Sequence, residues 1–316
     1  MTMRRATAVA HANIALTKYW GKRDEALLLP EAGSLSVALD RLLTTTTVEL
    51  GVPQDEMTLD GRPAAPKELA RARALLDAAE IREPARIESR NDFPTAAGLA
   101  SSASGFAALA AAACAAAGQH RSVRDLSALA RLGSGSAARS VPGGWAVWEG
   151  ESADQVAPPD HWDVRLVVAV CATGPKAVGS RDGMRACQQT SPYHAAFIEQ
   201  CRRDLPAALF CLHARDLDGL GAIAEKNALR MHADALAADP PLIYWEPATL
   251  GCLRALQRLR SEGVPAWPTI DAGPHVVALC AAETAAAVAA ALGAVGGVRE
   301  VLICAPAGGA RVVENG

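Results

Sequence analysis

The segment Asn91 to Gly105, NDFPTAAGLASSASG, runs directly into an alanine-rich stretch, Ala103 to Ala117, and this junction constrains the chain more than any other. A Pro/Gly/Ser loop that opens a long helix leaves the first-turn N–H groups without intrahelical acceptors, at the end where the helix dipole is positive. The adjacent hydroxyls of Ser101 and Ser102 stand at the same end. Such an end binds phosphate readily. The loop has neither the lysine of a GxxxxGK[ST] turn nor the glycines of GxGxxG, so a bound nucleotide would require some other fold. Taken alone, the segment reads equally well as a serine-capped helix after a turn.

At 316 residues the chain exceeds the usual size of one domain, and half of it is hydrophobic, enough for two cores. Aromatics make up only 4%, so those cores must be built from small aliphatic side chains and closely approaching helices. A formal charge of −3 argues against a general nucleic-acid or anionic-membrane surface. An anionic substrate would have to meet a local basic cluster. The eight cysteines form no CxxC pair and sit mostly in apolar segments such as VVALC and VLIC. They read as buried, reduced thiols rather than a disulfide framework or a zinc site. The N-terminal MTMRRATAVAHANIAL shows no sustained apolar run or cleavage signature, and no run of 18 apolar residues occurs anywhere. The expectation is a cytoplasmic protein without a signal peptide or membrane span.

Strands are expected at Ala6 to Thr17, at the β-branched end of Leu35 to Leu50, and at Ala85 to Ser89 and Gly143 to Trp148. Helices are expected at Glu68 to Ala79 and Val123 to Leu132. Ala153 to His161 is polar and holds Pro158 and Pro159, which makes it the candidate linker between domains 1–162 and 163–316. Beyond it, strands at Val164 to Ala172 and Val298 to Ala305 and one after the turn in PTIDAGPHVVALC alternate with helices. Those helices are expected at Tyr193 to Ala214, Leu217 to Asp234, Ala248 to Glu262 and Thr284 to Leu292. The fold class is α+β.

Several short constellations could carry chemistry. Lys18-Tyr19-Trp20-Gly21-Lys22-Arg23 puts three cations and a phenol at a strand end, a compact anion site or else a solvated strand end over a buried Trp20. Gly133-Ser134-Gly135-Ser136 with Arg139 and Ser140 offers close backbone approach, hydroxyl donors and a guanidinium fork for a carboxylate, or simply a helix-ending loop. Asp271 in the turn Asp271-Ala272-Gly273-Pro274 suits a base or an orienting group, and equally suits ordinary turn chemistry. Ser180 and Arg181 again place a hydroxyl beside a guanidinium. Together these features fit an ATP-dependent reaction on a small acidic substrate.

Six strings, NIALTKYWGKRD, SLSVAL, NDFPTAAGLASSASGFAAL, GSGSAARS, VGSRDGM and TIDAGP, occur in this order between about residues 13 and 276. They resemble the mevalonate diphosphate decarboxylases of the GHMP kinase superfamily. The resemblance implies a GHMP-type N-terminal domain, a ferredoxin-like C-terminal domain and a site in the cleft between them. It implies ATP and Mg2+ as cofactors, a phosphorylated mevalonate as substrate and a homodimer. The implied reaction phosphorylates the 3-hydroxyl of mevalonate 5-diphosphate, after which phosphate and carbon dioxide leave to give isopentenyl diphosphate. By the same resemblance Asp271 accepts or orients the hydroxyl proton, and Lys18 lies near that carboxylate and the transferring phosphoryl group. Arg139, helped by Ser134 and Ser136, fixes the substrate carboxylate. Tyr19, Lys22, Ser180 and Arg181 match positions that hold the 5-diphosphate. Pro94, Ala97, Gly98, Leu99, Ala100, Ser101 and Ser102 match the ATP-phosphate site, with Ser101 and Ser102 also at the metal.

The chain departs from the family pattern at Ala32-Gly33, where the family has Asn-Ser, and at His275, where it has asparagine. His275 reads as a surface or hydrogen-bonding substitution, or as one that alters the surroundings of Asp271. The 32–33 change leaves open a phosphomevalonate decarboxylase or a mevalonate 3-kinase. A non-catalytic nucleotide or metabolite sensor would not need the Asp271 carboxylate.

Overall fold

A computed structural model describes residues 4–93, 101–174 and 176–315. The first half contains β1 (Arg4–Ala15), β2 (Lys22–Asp24), β3 (Leu29–Pro30), β4 (Ser34–Leu50), β5 (Glu56–Leu59) and β6 (Arg62–Pro63). Helix α1 (Pro66–Ala78), β7 (Ala85–Asn91) and the alanine helix α2 (Ser101–Ala116) follow. Helices α3 (Val123–Gly133) and α4 (Ala137–Ser140) then lead to β8 (Trp145–Trp148) and β9 (Ala153–Ala157). The second half contains β10 (Val164–Val170), α5 (Ser180–Thr190), α6 (His194–Ala214), α7 (Leu217–Leu236) and α8 (Pro247–Ser261). It ends with β11 (Ala266–Thr269), β12 (Val276–Ala281), α9 (Ala285–Gly293), β13 (Glu300–Cys304) and β14 (Arg311–Asn315).

The larger sheet runs β14-β1-β4-β7-β5-β6, with β8 and β9 branching from β4. The 17-residue β4 changes neighbours along its length, pairing β8 over Ser34–Val37 and β7 over Thr44–Leu50. A register shift in β1 between His11 and Asn13 accommodates that change. Helix α2 packs on this sheet with Ala103, Ala107, Ala108 and Ala110 to Ala113 all buried. Methyl-sized side chains let the helix axis approach the strands closely, and this is why a chain so poor in aromatics still closes a core. The close approach also fixes where the first turn of α2, with Ser101 and Ser102, can sit.

The smaller sheet is antiparallel, ordered β11-β12-β10-β13. Its inner strand β10 is apolar except at Arg165, because both faces are covered. Val167 and Ala169 pack with Cys252, Leu256, Val288 and Leu292 of α8 and α9. Leu166 and Val168 pack with Leu205, Leu212 and Leu220 of α6 and α7, in a core that also takes in Ile14, Leu35 and Val37 from the larger sheet. The two halves therefore share one hydrophobic core, and β14 returns the C-terminal segment to β1.

The expected linker is not a linker. Residues Ala153–Ala157 form β9 against β8, with Ala153 and Ala157 buried, and Pro159–His161 make one 3-10 turn. The prolines end a strand there rather than loosening the chain. Helix α5, to which no element was assigned from the sequence, begins at Ser180 and carries both Ser180 and Arg181. All eight cysteines are free, Cys211 half-buried and the others buried, as expected. Among the described residues no helix is long and apolar enough to cross a membrane.

Because α2 has no slack against β1 and β4, Ala107→Leu should overpack the first core. The expected cost is about 1–3 kcal/mol, read as a lower denaturation midpoint in urea at unchanged slope.

Candidate active site

A cleft of 390 Å3 opens where the end of β1, the α2 start, the α3–α4 turn, the α5 start and the β11–β12 turn converge. Lys18, Lys22, Lys67, Arg71, Arg139, Lys176 and Arg181 line it, against the carboxylates of Asp182 and Asp271. In a chain of net charge −3 this is a concentrated positive field, directed at an anion. A second cavity of 600 Å3 lies between α1, α2 and β5–β7, with Met57, Leu59, Ile87, Phe106 and Leu109 on its walls. Arg71, Ser101 and Ser102 border both cavities.

Lys18 organises the cleft. Its side chain is 2% exposed, and Nζ donates to Ala15 O at 2.7 Å, Thr269 Oγ1 at 2.6 Å and Asp271 Oδ1 at 2.6 Å. Three acceptors around one ammonium use all three of its protons. Burial pulls the Lys18 pKa below its ordinary value, and the Asp271 charge and hydrogen bond act against that pull. Asp271 keeps its side chain 28% exposed to the cleft. Its backbone carbonyl is held by His232 Nε2 at 3.1 Å. Burial, and then the Lys18 charge, drive the His232 pKa down to about 3, so the ring stays neutral and donates through Nε2.

Arg139 is buried, its Nε donating to Asn13 Oδ1 at 3.2 Å and one terminal nitrogen to Ser34 Oγ at 2.6 Å. Burial lowers its pKa to about 10, and the guanidinium remains charged at neutral pH. Asn13 is itself fixed by Ser136 O at 3.0 Å and Ser140 Oγ at 2.7 Å. Hydroxyls connect this group to α2, with Ser102 to Ser134 at 3.2 Å and Ser134 to Ser136 at 3.4 Å. Tyr19 packs its ring on Trp148 at 4.7 Å between centroids, and burial raises its pKa. Lys22 Nζ, with the side chain 1% exposed, pairs with Glu25 at 2.8 Å. Lys176 Nζ reaches Ser180 Oγ at 3.0 Å and the carbonyl of Ala272.

Each half of the chain matches a model from the same protein family. A family model described as the diphosphomevalonate decarboxylase-like N-terminal domain matches residues 10–157, and one described as the mevalonate 5-diphosphate decarboxylase C-terminal domain matches residues 166–301. The chain belongs to the diphosphomevalonate decarboxylase family. It is 37% identical to the diphosphomevalonate decarboxylase of Ganoderma lucidum over 88% of this chain and 78% of that one. The crystal structure of mevalonate diphosphate decarboxylase from Staphylococcus aureus is 36% identical, superposes with a TM-score of 0.93 and is covered, like this chain, over 99% of its length. A structure described as MDDEF in complex with MVAPP, AMPPCP and magnesium is also 36% identical, with a TM-score of 0.92 over 99% of this chain and 100% of that one. The two-domain α+β architecture expected from the resemblance is the fold of this decarboxylase family.

Lys18, Tyr19, Lys22, Ser101, Ser102, Ser134, Ser136, Arg139, Ser180, Arg181 and Asp271, selected from the sequence, all line the one cleft. Pro94, Ala97, Gly98, Leu99 and Ala100 lie outside the described residues. The sequence reading missed Lys67, Arg71 and Lys176, which also line the cleft, and His232, which holds the Asp271 carbonyl. Lys67 and Arg71 stand four residues apart on α1, where they are indistinguishable from a solvated helix face. Asn13 and Thr269 lay inside strings already recognised, and that was the one available signal for them.

The two family departures have packing explanations. His275 is buried, not at the surface, and its Nδ1 accepts from the Cys171 backbone N–H at 3.1 Å. It is a hydrogen-bonding substitution that ties the turn after Asp271 to the end of β10. At Gly33 a Cβ would lie 2.5 Å from Leu205 Cδ2 and 2.7 Å from Glu149 Cγ, so a serine there would require these side chains to shift.

Gly133 is equally constrained, since a Cβ would come within 2.0 Å of the Phe106 ring, over which Arg71 sits at 4.7 Å. Gly133→Ala should displace that ring, cost about 1–3 kcal/mol and weaken ATP binding. Urea unfolding and nucleotide titration measure the two effects separately.

Proposed function

We propose that the protein catalyses ATP-dependent decarboxylation of mevalonate 5-diphosphate to isopentenyl diphosphate, with ADP, phosphate and carbon dioxide as the other products. The observation that carries this reading is a cationic cleft in which Asp271 is paired to a fully buried Lys18 and shares the walls with the Arg139 fork. A tertiary alcohol is a poor nucleophile and hydroxide a poor leaving group, so the hydroxyl is first phosphorylated. Asp271 accepts or orients the proton of the 3-hydroxyl, and Lys18 offsets the negative charge that develops on the transferring phosphoryl group. Arg139 grips the substrate carboxylate, with Ser134 and Ser136 beside it. Breaking the C3–O bond builds positive charge at C3. The C1–C2 electron pair then forms the C2–C3 double bond as carbon dioxide departs.

Tyr19, Lys22, Ser180 and Arg181 hold the 5-diphosphate. The ATP phosphates lie at Ser101 and Ser102, where the two cavities meet, with Arg71 and Lys67 adding charge and the apolar walls of the second cavity receiving the base. Magnesium, when bound, neutralises phosphate charge. The donors available to it are hydroxyl oxygens of Ser101 and Ser102, hard ligands that suit an ion held mainly by phosphates and water. Among the described residues no cluster of three His, Cys, Asp or Glu side chains competes for a softer metal. The division into domains 1–162 and 163–316, a homodimeric assembly and a cytoplasmic location belong to the same proposal. Sedimentation of the purified protein tests the assembly.

Mevalonate, its 5-phosphate and its 5-diphosphate, each incubated with ATP and magnesium, distinguish the readings. Phosphate and carbon dioxide should appear in equal amounts with the diphosphate. Phosphoryl transfer without carbon dioxide would instead mark a 3-kinase, and turnover confined to the monophosphate would mark a phosphomevalonate decarboxylase. Asp271→Asn should lower kcat by several orders of magnitude, on the order of 10³ or more, with ATP binding largely intact. A variant that keeps most of its turnover would remove Asp271 from the mechanism.

A further inference from the structure

His194 opens α6, is 7% exposed, and makes two contacts with carboxylates. Its Nδ1 lies 2.8 Å from Asp234 Oδ2 on α7, and its Nε2 lies 3.2 Å from Glu31 Oε2 in the loop before β4. Ionised carboxylates only accept, so both contacts are satisfied only by a ring protonated on both nitrogens. The same network grips the backbone that carries Tyr19 and Lys22. Gly21 O accepts from the Glu31 N–H at 3.1 Å. Gln188 Nε2 donates to Lys22 O at 2.8 Å and to Glu31 Oε2 at 3.0 Å. A Cβ at Gly21 would lie 2.8 Å from Glu31 Oε2 and 3.2 Å from His194 Nε2. The glycine of the KYWGK string is therefore the point where this network meets the chain.

We propose that His194, as an imidazolium bridging Asp234 and Glu31, is a positioning residue for the diphosphate end of the substrate, and that it makes substrate binding sensitive to pH. This inference rests on the function proposed above. Burial pulls the His194 pKa down, but the hydrogen bonds and charges of Asp234 and Glu31 outweigh it and leave the pKa raised above 6.5. The other titratable groups around Asp234 do not substitute for the ring. Burial, followed by contributions that include the Asp234 charge, keeps the thiols of Cys187 and Cys201 neutral, at about 11 and about 12. The Lys22 ammonium pairs with the half-exposed Glu25 and does not contact Asp234. With a raised folded pKa, the bridge is complete below 6.5 and is lost as pH rises through the folded value. The Michaelis constant for the diphosphate should therefore climb on the alkaline side.

Glu31→Gln is the informative variant, because it leaves the buried His194–Asp234 pair and the fold in place. Relative to wild type, its KM for mevalonate 5-diphosphate at pH 7 should rise roughly tenfold with kcat within about twofold. The alkaline rise in KM should also move to lower pH. In the wild-type protein, 15N NMR of the His194 ring should show an imidazolium at pH 7. A neutral ring, a KM profile that superimposes on wild type, or a fall in kcat at constant KM overturns the proposal. A wild-type control that turns over none of the three mevalonate substrates overturns the functional reading and this inference with it. The unsubstituted protein then fails, which distinguishes that case from failure of the His194 assignment alone.

Discussion

The buried Lys18 ammonium is the interaction on which the rest of the site depends. An ammonium withdrawn from water costs several kcal/mol unless its protons are met, and here a carbonyl, a hydroxyl and a carboxylate meet all three. Ala15 belongs to the end of β1, whereas Thr269 and Asp271 belong to the end of β11 and the turn beyond it. The Lys18 backbone N–H donates to Asn227 Oδ1 of α7 at 2.8 Å. One side chain thus fixes the two halves of the molecule in register and presents Asp271 to the cleft. Removing the Asp271 carboxylate would leave the buried Lys18 charge uncompensated, so stability and chemistry are coupled at this point.

Around that centre the fold supplies two kinds of precision. The alanine helix α2 sets distance, because methyl groups tolerate neither a gap nor an extra carbon against β1 and β4. The hydroxyl sequence Ser102, Ser134 and Ser136 sets continuity, since it connects the helix start to the residues that hold Arg139. Arg139 is buried and charged, and its fork is aimed by Asn13 and Ser34. Such a guanidinium loses little conformational freedom when a carboxylate arrives.

Much of this was legible in the residues. The repeating apolar pattern of β10 and the alanine run of α2 identify themselves, since periodicity and side-chain size are local properties. The long β4 was legible only at its TTTTVEL end, because its first half is set by β8, a neighbour more than a hundred residues away. The segment Ala153–His161 misled because polar residues and prolines resemble a linker, while the backbone pairing that makes it a strand is supplied by β8. His275 misled in the same way: its burial comes from the end of β10, not from its neighbours in sequence.

The sequence by itself determined the chemical inventory: an anion-binding helix start, a basic strand end, an arginine beside paired serines and an aspartate in a Gly-Pro turn. These are properties of residue type and spacing over a few positions. Tertiary structure alone decided that Lys18 is dry and fully bonded, that Lys67, Arg71 and Lys176 join the cleft, and that His232 is held neutral against the Asp271 carbonyl. It also decided that His194 is held between two carboxylates. The physical reason is the same in each case. The ionisation and orientation of a side chain depend on its desolvation and on partners brought from distant segments, and neither is encoded in its local sequence.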